Sequence, residues 1–110
     1  MKKLLVFTLT LLAAGAVSVN AADAKALWDK NCKKCHGEDG KGKTVMGRKV
    51  GVKDYTDAKV QDELKDPEMA KAIKEGIKKG DETRMKPFGE TMSDADIKAL
   101  VAYIRAFKGK

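Results

Sequence analysis

The sequence predicts an all-α domain of four to five short helices, and three observations carry that expectation. No stretch of any length alternates apolar and polar residues at a period of two. Two stretches repeat apolar residues at helical spacing: Met69, Ala70, Ile73 and Ile77, and then Ile97, Leu100, Val101, Ile104 and Phe107. Each is opened by a start signal, Asp66-Pro67 in the first case and Ser93-Asp94-Ala95-Asp96, a capping-box pattern, in the second.

The chain has 110 residues, and its first stretch reads as a leader. Lys2 and Lys3 form a charged start, Leu4 to Val17 is apolar, and Val19-Asn20-Ala21 is a small-residue cleavage pattern. Residues 1–21 are therefore expected to be a signal peptide that is cleaved, and residues 22–110 a single domain. The bland alternative is an uncleaved membrane anchor, but the apolar run is short for a span and no stop-transfer pattern follows. Removing Lys2 and Lys3 from the 23 basic residues leaves 21 against 16 acidic ones, a formal charge of +5. About 89 residues allow one domain with a small apolar core, a size that commonly needs a staple.

Asp23 is placed to cap a helix from Ala24 to about Asn31, with Leu27 and Trp28 as its large apolar residues. That helix delivers Cys32-Lys33-Lys34-Cys35-His36, a Cys-x-x-Cys-His run with the spacing of covalent c-type haem attachment. Two thiols at this spacing add across the two vinyl groups, and the adjacent imidazole supplies the proximal iron ligand. Three other readings use the same residues. Zinc is poorly served, since these are the only two cysteines and His36 the only histidine. A thioredoxin-like dithiol wants a preceding strand and a βαβ context, neither of which is present. A structural disulfide remains open.

After His36 the chain is punctuated by Gly37, Gly40, Gly42, Gly47 and Gly51, and it reads as an irregular polar stretch to Asp54. A loop of roughly fifteen residues in a small domain needs something to wrap. Thr56 or Asp57 then caps a short helix with Val60 and Leu64 on one side. The helix opened by Asp66-Pro67 carries its stripe to Ile77 and stops at Gly80. Asp81 to Thr91 reads as a loop containing Met85-Lys86-Pro87-Phe88-Gly89, and the last helix runs from the Ser93 box to about Lys108.

A helix before Cys-x-x-Cys-His, a Gly-rich loop, a middle helix, Met-x-Pro-Phe and a capped last helix together resemble class I monohaem cytochromes c. The similarity spans the chain after the leader and is strongest over Trp28 to Gly42 and Arg84 to Phe107. It implies a cytochrome c fold around one covalently bound haem c, attached at Cys32 and Cys35. The first and last helices cross beside it, which brings Leu27 and Trp28 against Leu100, Val101, Tyr103 or Ile104. His36 matches the proximal iron ligand and Met85 the distal one. Since His36 is the only histidine, the sixth position must otherwise be another methionine, a lysine, water or empty. Met46, Met69 and Met92 also read as adaptable core fillers.

The chain departs from the family pattern at Ala24, often a helix-contact glycine; at Lys86, between Met85 and its proline; and at Met92, often leucine. No proline lies between His36 and Asp66, where relatives supply a carbonyl for the ligand histidine. A carbonyl from Thr44 to Gly51 is expected to replace it. Trp28, Tyr55 and Arg84 are each candidates to bind a haem propionate and each equally placed for packing.

The resemblance implies a periplasmic one-electron carrier that shuttles between redox partner proteins, with no small-molecule substrate. No serine or cysteine nucleophile arrangement, phosphate-binding glycine motif or paired carboxylate signature argues for an enzyme. Nucleic acid is a poor partner for an exported chain, and membrane contact is expected only through a membrane-bound partner. Lys33, Lys34, Lys41, Lys43, Lys49 and Lys53, with Lys71, Lys74, Lys78 and Lys79 on the middle helix, form either a steering surface for an acidic partner or an ordinary solvated one. Two other classes are kept: a haem enzyme or gas sensor in which methionine leaves the iron, and a haem-free domain stapled by Cys32 and Cys35.

Overall fold

Trp28 and Leu100, each 1% exposed, mark the centre of the core. The structure, a computed structural model, describes residues 21–110. Residues 1–20, nearly all of the expected leader, lie outside the described residues, as does the test of its cleavage. In chain order the elements are α1 (Ala21–Asn31), α2 (Lys33–His36), α3 (Val45–Val50), α4 (Ala58–Glu63), α5 (Asp66–Glu75), β1 (Ile77–Lys79), β2 (Glu82–Met85) and α6 (Asp94–Arg105). The helical expectation holds, with six helices among the described residues in place of four to five, and one small antiparallel hairpin added.

The first and last helices meet as expected. The Trp28 ring lies 5.5 Å from Tyr103 and 5.1 Å from Phe107, so α1 is keyed into α6 by aromatic packing. Ala24 is 3% exposed, its methyl accommodated where a close contact favours a small residue. Among the described residues α1 is helical from Ala21, earlier than Ala24, so Asp23 lies within the helix and not at its cap. At α6 the capping box is complete: Ser93 Oγ accepts from Asp96 N at 3.1 Å, and Asp96 Oδ2 accepts from Ser93 N at 3.1 Å.

Two expectations are corrected. The stretch after His36 is not irregular throughout, because α3 forms within it. Thr44 Oγ1 accepts from Gly47 N at 2.8 Å at the start, and Gly51, with φ of +75°, ends it by donating to Gly47 O. Both signals belong to ordinary helix capping, but six residues with two glycines nearby are too few for a periodic pattern to show.

The α5 stripe also stops before Ile77. Gly76 turns the chain with φ of +76°, where a Cβ would come within 2.5 Å of the Met85 carbonyl oxygen and 2.9 Å of Pro87 N. Only glycine permits both the turn and that approach. Ile77 then pairs with Met85 across the hairpin and is 45% exposed. Phe88 N and Gly89 N donate to Ile73 O and Lys74 O at 2.9 and 3.0 Å, which straps the segment after Met85 back onto α5.

Polar fastening joins α4 to α6. Gln61 is 3% exposed, and its Nε2 donates to Tyr55 O at 2.7 Å and to Ile104 O at 2.9 Å. Arg105 donates to Gln61 O, Gln61 Oε1 and Leu64 O, and it pairs with Asp66 at 2.8 Å. The sequence pointed to Val60 and Leu64 on α4, yet Gln61 is its buried residue. Gln61→Leu should cost about 2 kcal/mol, because Tyr55 O loses its side-chain donor in a buried setting and Arg105 loses the amide oxygen it donates to. Chemical denaturation checks this; an unchanged midpoint would show that water replaces the amide.

Candidate haem site

Cys32 to His36 form one tight helical turn between α1 and α2. Cys32 N donates to Trp28 O at 2.8 Å, and Cys32 O accepts from Cys35 N at 3.2 Å and His36 N at 2.9 Å. Residues three apart on such a turn share a face, so the turn presents both thiols together with the imidazole. Both cysteines are free thiols, and burial pushes Cys32 up to about 11. Helix α3 braces the turn from behind: Thr44 Oγ1 donates to Cys35 O at 2.7 Å, and Gly47 packs so closely that a Cβ would overlap the Cys35 carbonyl.

These residues open onto a cavity of about 600 Å³. Cys32, Cys35, His36 and Met85 all line it, so the four residues singled out in the sequence are brought to one site. Leu100 and Ile104 of α6, Ile73 of α5, Val50 at the end of α3 and Val52 just after it supply apolar walls. Met69 lines the cavity too, whereas Met46 and Met92 are not among the lining residues. Met92 belongs instead to the buried core cluster that also holds Phe88 and Ile97.

His36 is held neutral, since burial pushes it down to about 4, and neutral imidazole is the ligating form. Its two nitrogens differ. Nδ1 is sealed from solvent and has no hydrogen-bond partner among the described residues. Nε2 has no partner either but is not sealed, and with the ring lining the cavity it is the nitrogen open to it. The expected carbonyl between Thr44 and Gly51 is therefore not supplied. Several carbonyls of that loop are already spent: Thr44 O on Arg48 N, Gly47 O on Gly51 N and Val52 N, and Val50 O on Arg84 Nη1. The Tyr55 ring instead lies against His36, 5.3 Å between centroids and 20° between planes.

Of the three propionate candidates, Trp28 is excluded, because its Nε1 donates to Gly37 O at 2.9 Å in a buried bond. Tyr55 and Arg84 both line the cavity. Arg84 is tied to Val50 O by Nη1 at 3.2 Å and lies 4.0 Å from Glu82. Sequence reasoning missed the Tyr55 stack, the Gln61 fastening and the Met69 wall. Only Met69 carried a signal, its place on the α5 stripe.

An apolar cavity of this volume is the size of a cofactor site. Two thiols, an unsealed imidazole nitrogen and a thioether around it form the donor set for a covalently held haem, so the residues fit that group. Fold and site together define a small monohaem c-type cytochrome. Over residues 19–104 the chain matches the family model described as cytochrome C oxidase, cbb3-type, subunit III, and it belongs to that family of c-type cytochrome domains. Its structure is similar to that of the KustC0563 c-type cytochrome, with a TM-score of 0.70 and 34% identity over 77% of this chain and 96% of that one. It is similar also to a tyrosine-to-phenylalanine mutant of Kustc0563, with a TM-score of 0.69 and 35% identity over 78% of this chain and 99% of that one. No curated protein matches the chain. The family carries a covalently bound haem c with iron and transfers electrons, and the chain is a haem-c electron carrier of this kind.

Proposed function

We propose that the protein is a periplasmic one-electron carrier in which Cys32 and Cys35 hold the haem as thioethers, His36 Nε2 is the proximal iron ligand and Met85 Sδ the distal one. The observation that carries this is the convergence of those four side chains on one cavity, with Nε2 the imidazole nitrogen open to it. The haem supplies a reversible ferrous–ferric couple. The rest is done by the chain. The turn at Cys32–His36 carries the imidazole, the bonds of Phe88 N and Gly89 N tie the segment after Met85 to α5, and the apolar walls would keep water from the iron, which favours the less charged reduced site.

Were His36 and Met85 both to bind the iron, no position on it would be left for a substrate, which supports a carrier and not an enzyme. Export rests on the leader pattern of residues 1–21. No helix among the described residues is long and apolar enough to cross a membrane.

Redox partner proteins with acidic surfaces fit the charge distribution. Lys71 and Lys74 on α5 have carboxylate neighbours, Glu75 and Asp94, at 3.8 Å. Lys33, Lys34, Arg48, Lys49 and Lys53 form no ion pair among the described residues, and Lys34 and Lys53 line the cavity. That is the side a partner reaches electrons from, and its encounter rate should fall with salt.

The test is intact mass of the exported protein followed by carbon monoxide addition to its reduced form. One haem adduct and no rapid carbon monoxide binding at neutral pH are expected. Rapid binding would replace the carrier with a haem enzyme or gas sensor, and a mass without haem would leave a domain stapled by its cysteines.

A further inference from the structure

We propose that Tyr55 is the positioning residue of the proximal ligand, its ring fixing the plane of the His36 imidazole by stacking where a hydrogen-bond acceptor for Nδ1 is missing. The inference rests on His36 being the iron ligand. When one imidazole nitrogen binds a metal the other carries a proton, and that N–H ordinarily finds a carboxylate, carbonyl or water that sets the ring's orientation. Here it finds none. Nδ1 is shut off from bulk solvent and has no hydrogen-bond partner among the described residues, and the carbonyls around the turn hold other donors. Cys35 O takes Thr44 Oγ1, His36 O takes Gly42 N, Gly37 O takes Trp28 Nε1, and Gly40 O takes Tyr55 N.

What touches the imidazole is aromatic. Tyr55 is nearly parallel to it, at 20° and 5.3 Å, an offset stack; Trp28 lies 5.6 Å away, tilted by 42°. A near-parallel neighbour opposes rotation of the ring in a way that a tilted one does not. Tyr55 is also held on both sides of its backbone: its N–H donates to Gly40 O at 2.9 Å, and its carbonyl accepts from buried Gln61 at 2.7 Å. Gln61 is fastened in turn by Arg105 of α6. The stacking ring is thus mounted on the core and not on a free loop. Its hydroxyl has no part in the stack, so phenylalanine should serve equally.

The experiment is proton NMR of the full ferric holoprotein, in which the order of the paramagnetically shifted haem methyl resonances reports the imidazole plane. Tyr55→Phe should keep the wild-type order. Tyr55→Leu should lose it while the Met85 methyl resonance stays in place. An unchanged order in Tyr55→Leu would overturn the proposal, as would an equal change in Tyr55→Phe, which would assign the effect to the hydroxyl. A readout on the wild type needs no variant: with the ring ¹⁵N-labelled, Nδ1–H should show no coupling across a hydrogen bond to a carbonyl, and such a coupling would also overturn it. Failure of the ligand assignment looks different, as wild-type spectra lacking the shifted histidine and methionine resonances.

Discussion

The double variant Cys32→Ser with Cys35→Ser should be exported without covalently bound haem and should lose its cooperative melt. The reason is volume. Removing the thiols removes the covalent attachment, and the cavity of about 600 Å³ is then left with only the two proposed iron ligands to retain its occupant. If half of that volume stays open, at ~24 cal/mol per Å³ the cost is about 7 kcal/mol. That is comparable with the whole stability of a small domain, ~5–15 kcal/mol. Thermal denaturation followed by circular dichroism checks it. A double variant that melts as sharply as the parent would show that the helices close over the cavity by themselves.

Met85→Ala should leave the fold standing and change the iron. Met85 ends β2, half-buried, and the strap behind it is hydrogen-bonded through Phe88 and Gly89 backbone, which the substitution does not touch. Loss of the thioether should lower the reduction potential by on the order of 0.1 V or more, within the ≈0.8 V span that axial ligands command. It should also let carbon monoxide bind the reduced protein quickly. Protein-film voltammetry reads the first and a stopped-flow spectrum the second. An unchanged potential would remove Met85 and move the ligand to Met69, the other methionine on the cavity wall.

Much of this site was legible because its chemistry is written in adjacent residues. Cys32, Cys35 and His36 occupy one helical turn, so spacing alone brings them together, and the Ser93–Asp96 box marked the start of α6 for the same local reason. What was hidden depended on contacts distant in sequence. Ile77 continues the α5 period, and nothing local says that Gly76 must turn there; the cause is the Met85 and Pro87 backbone nine and more residues on. Helix α3 is too short to show a period, and that Nδ1 of His36 is left without a partner depends on where this helix sits in the fold. Gln61 reads as a surface residue beside Val60, and only its bonds to Tyr55 and Ile104 explain its burial.

A haem held between His36 and a methionine sulfur is tested most directly by the visible spectrum of the exported protein, oxidised and then reduced and extended into the far red. Haem bands with a weak far-red sulfur-to-iron band in the ferric form, abolished in Met85→Ala, are the result expected. Haem bands that lack this feature in the parent protein at neutral pH would contradict it.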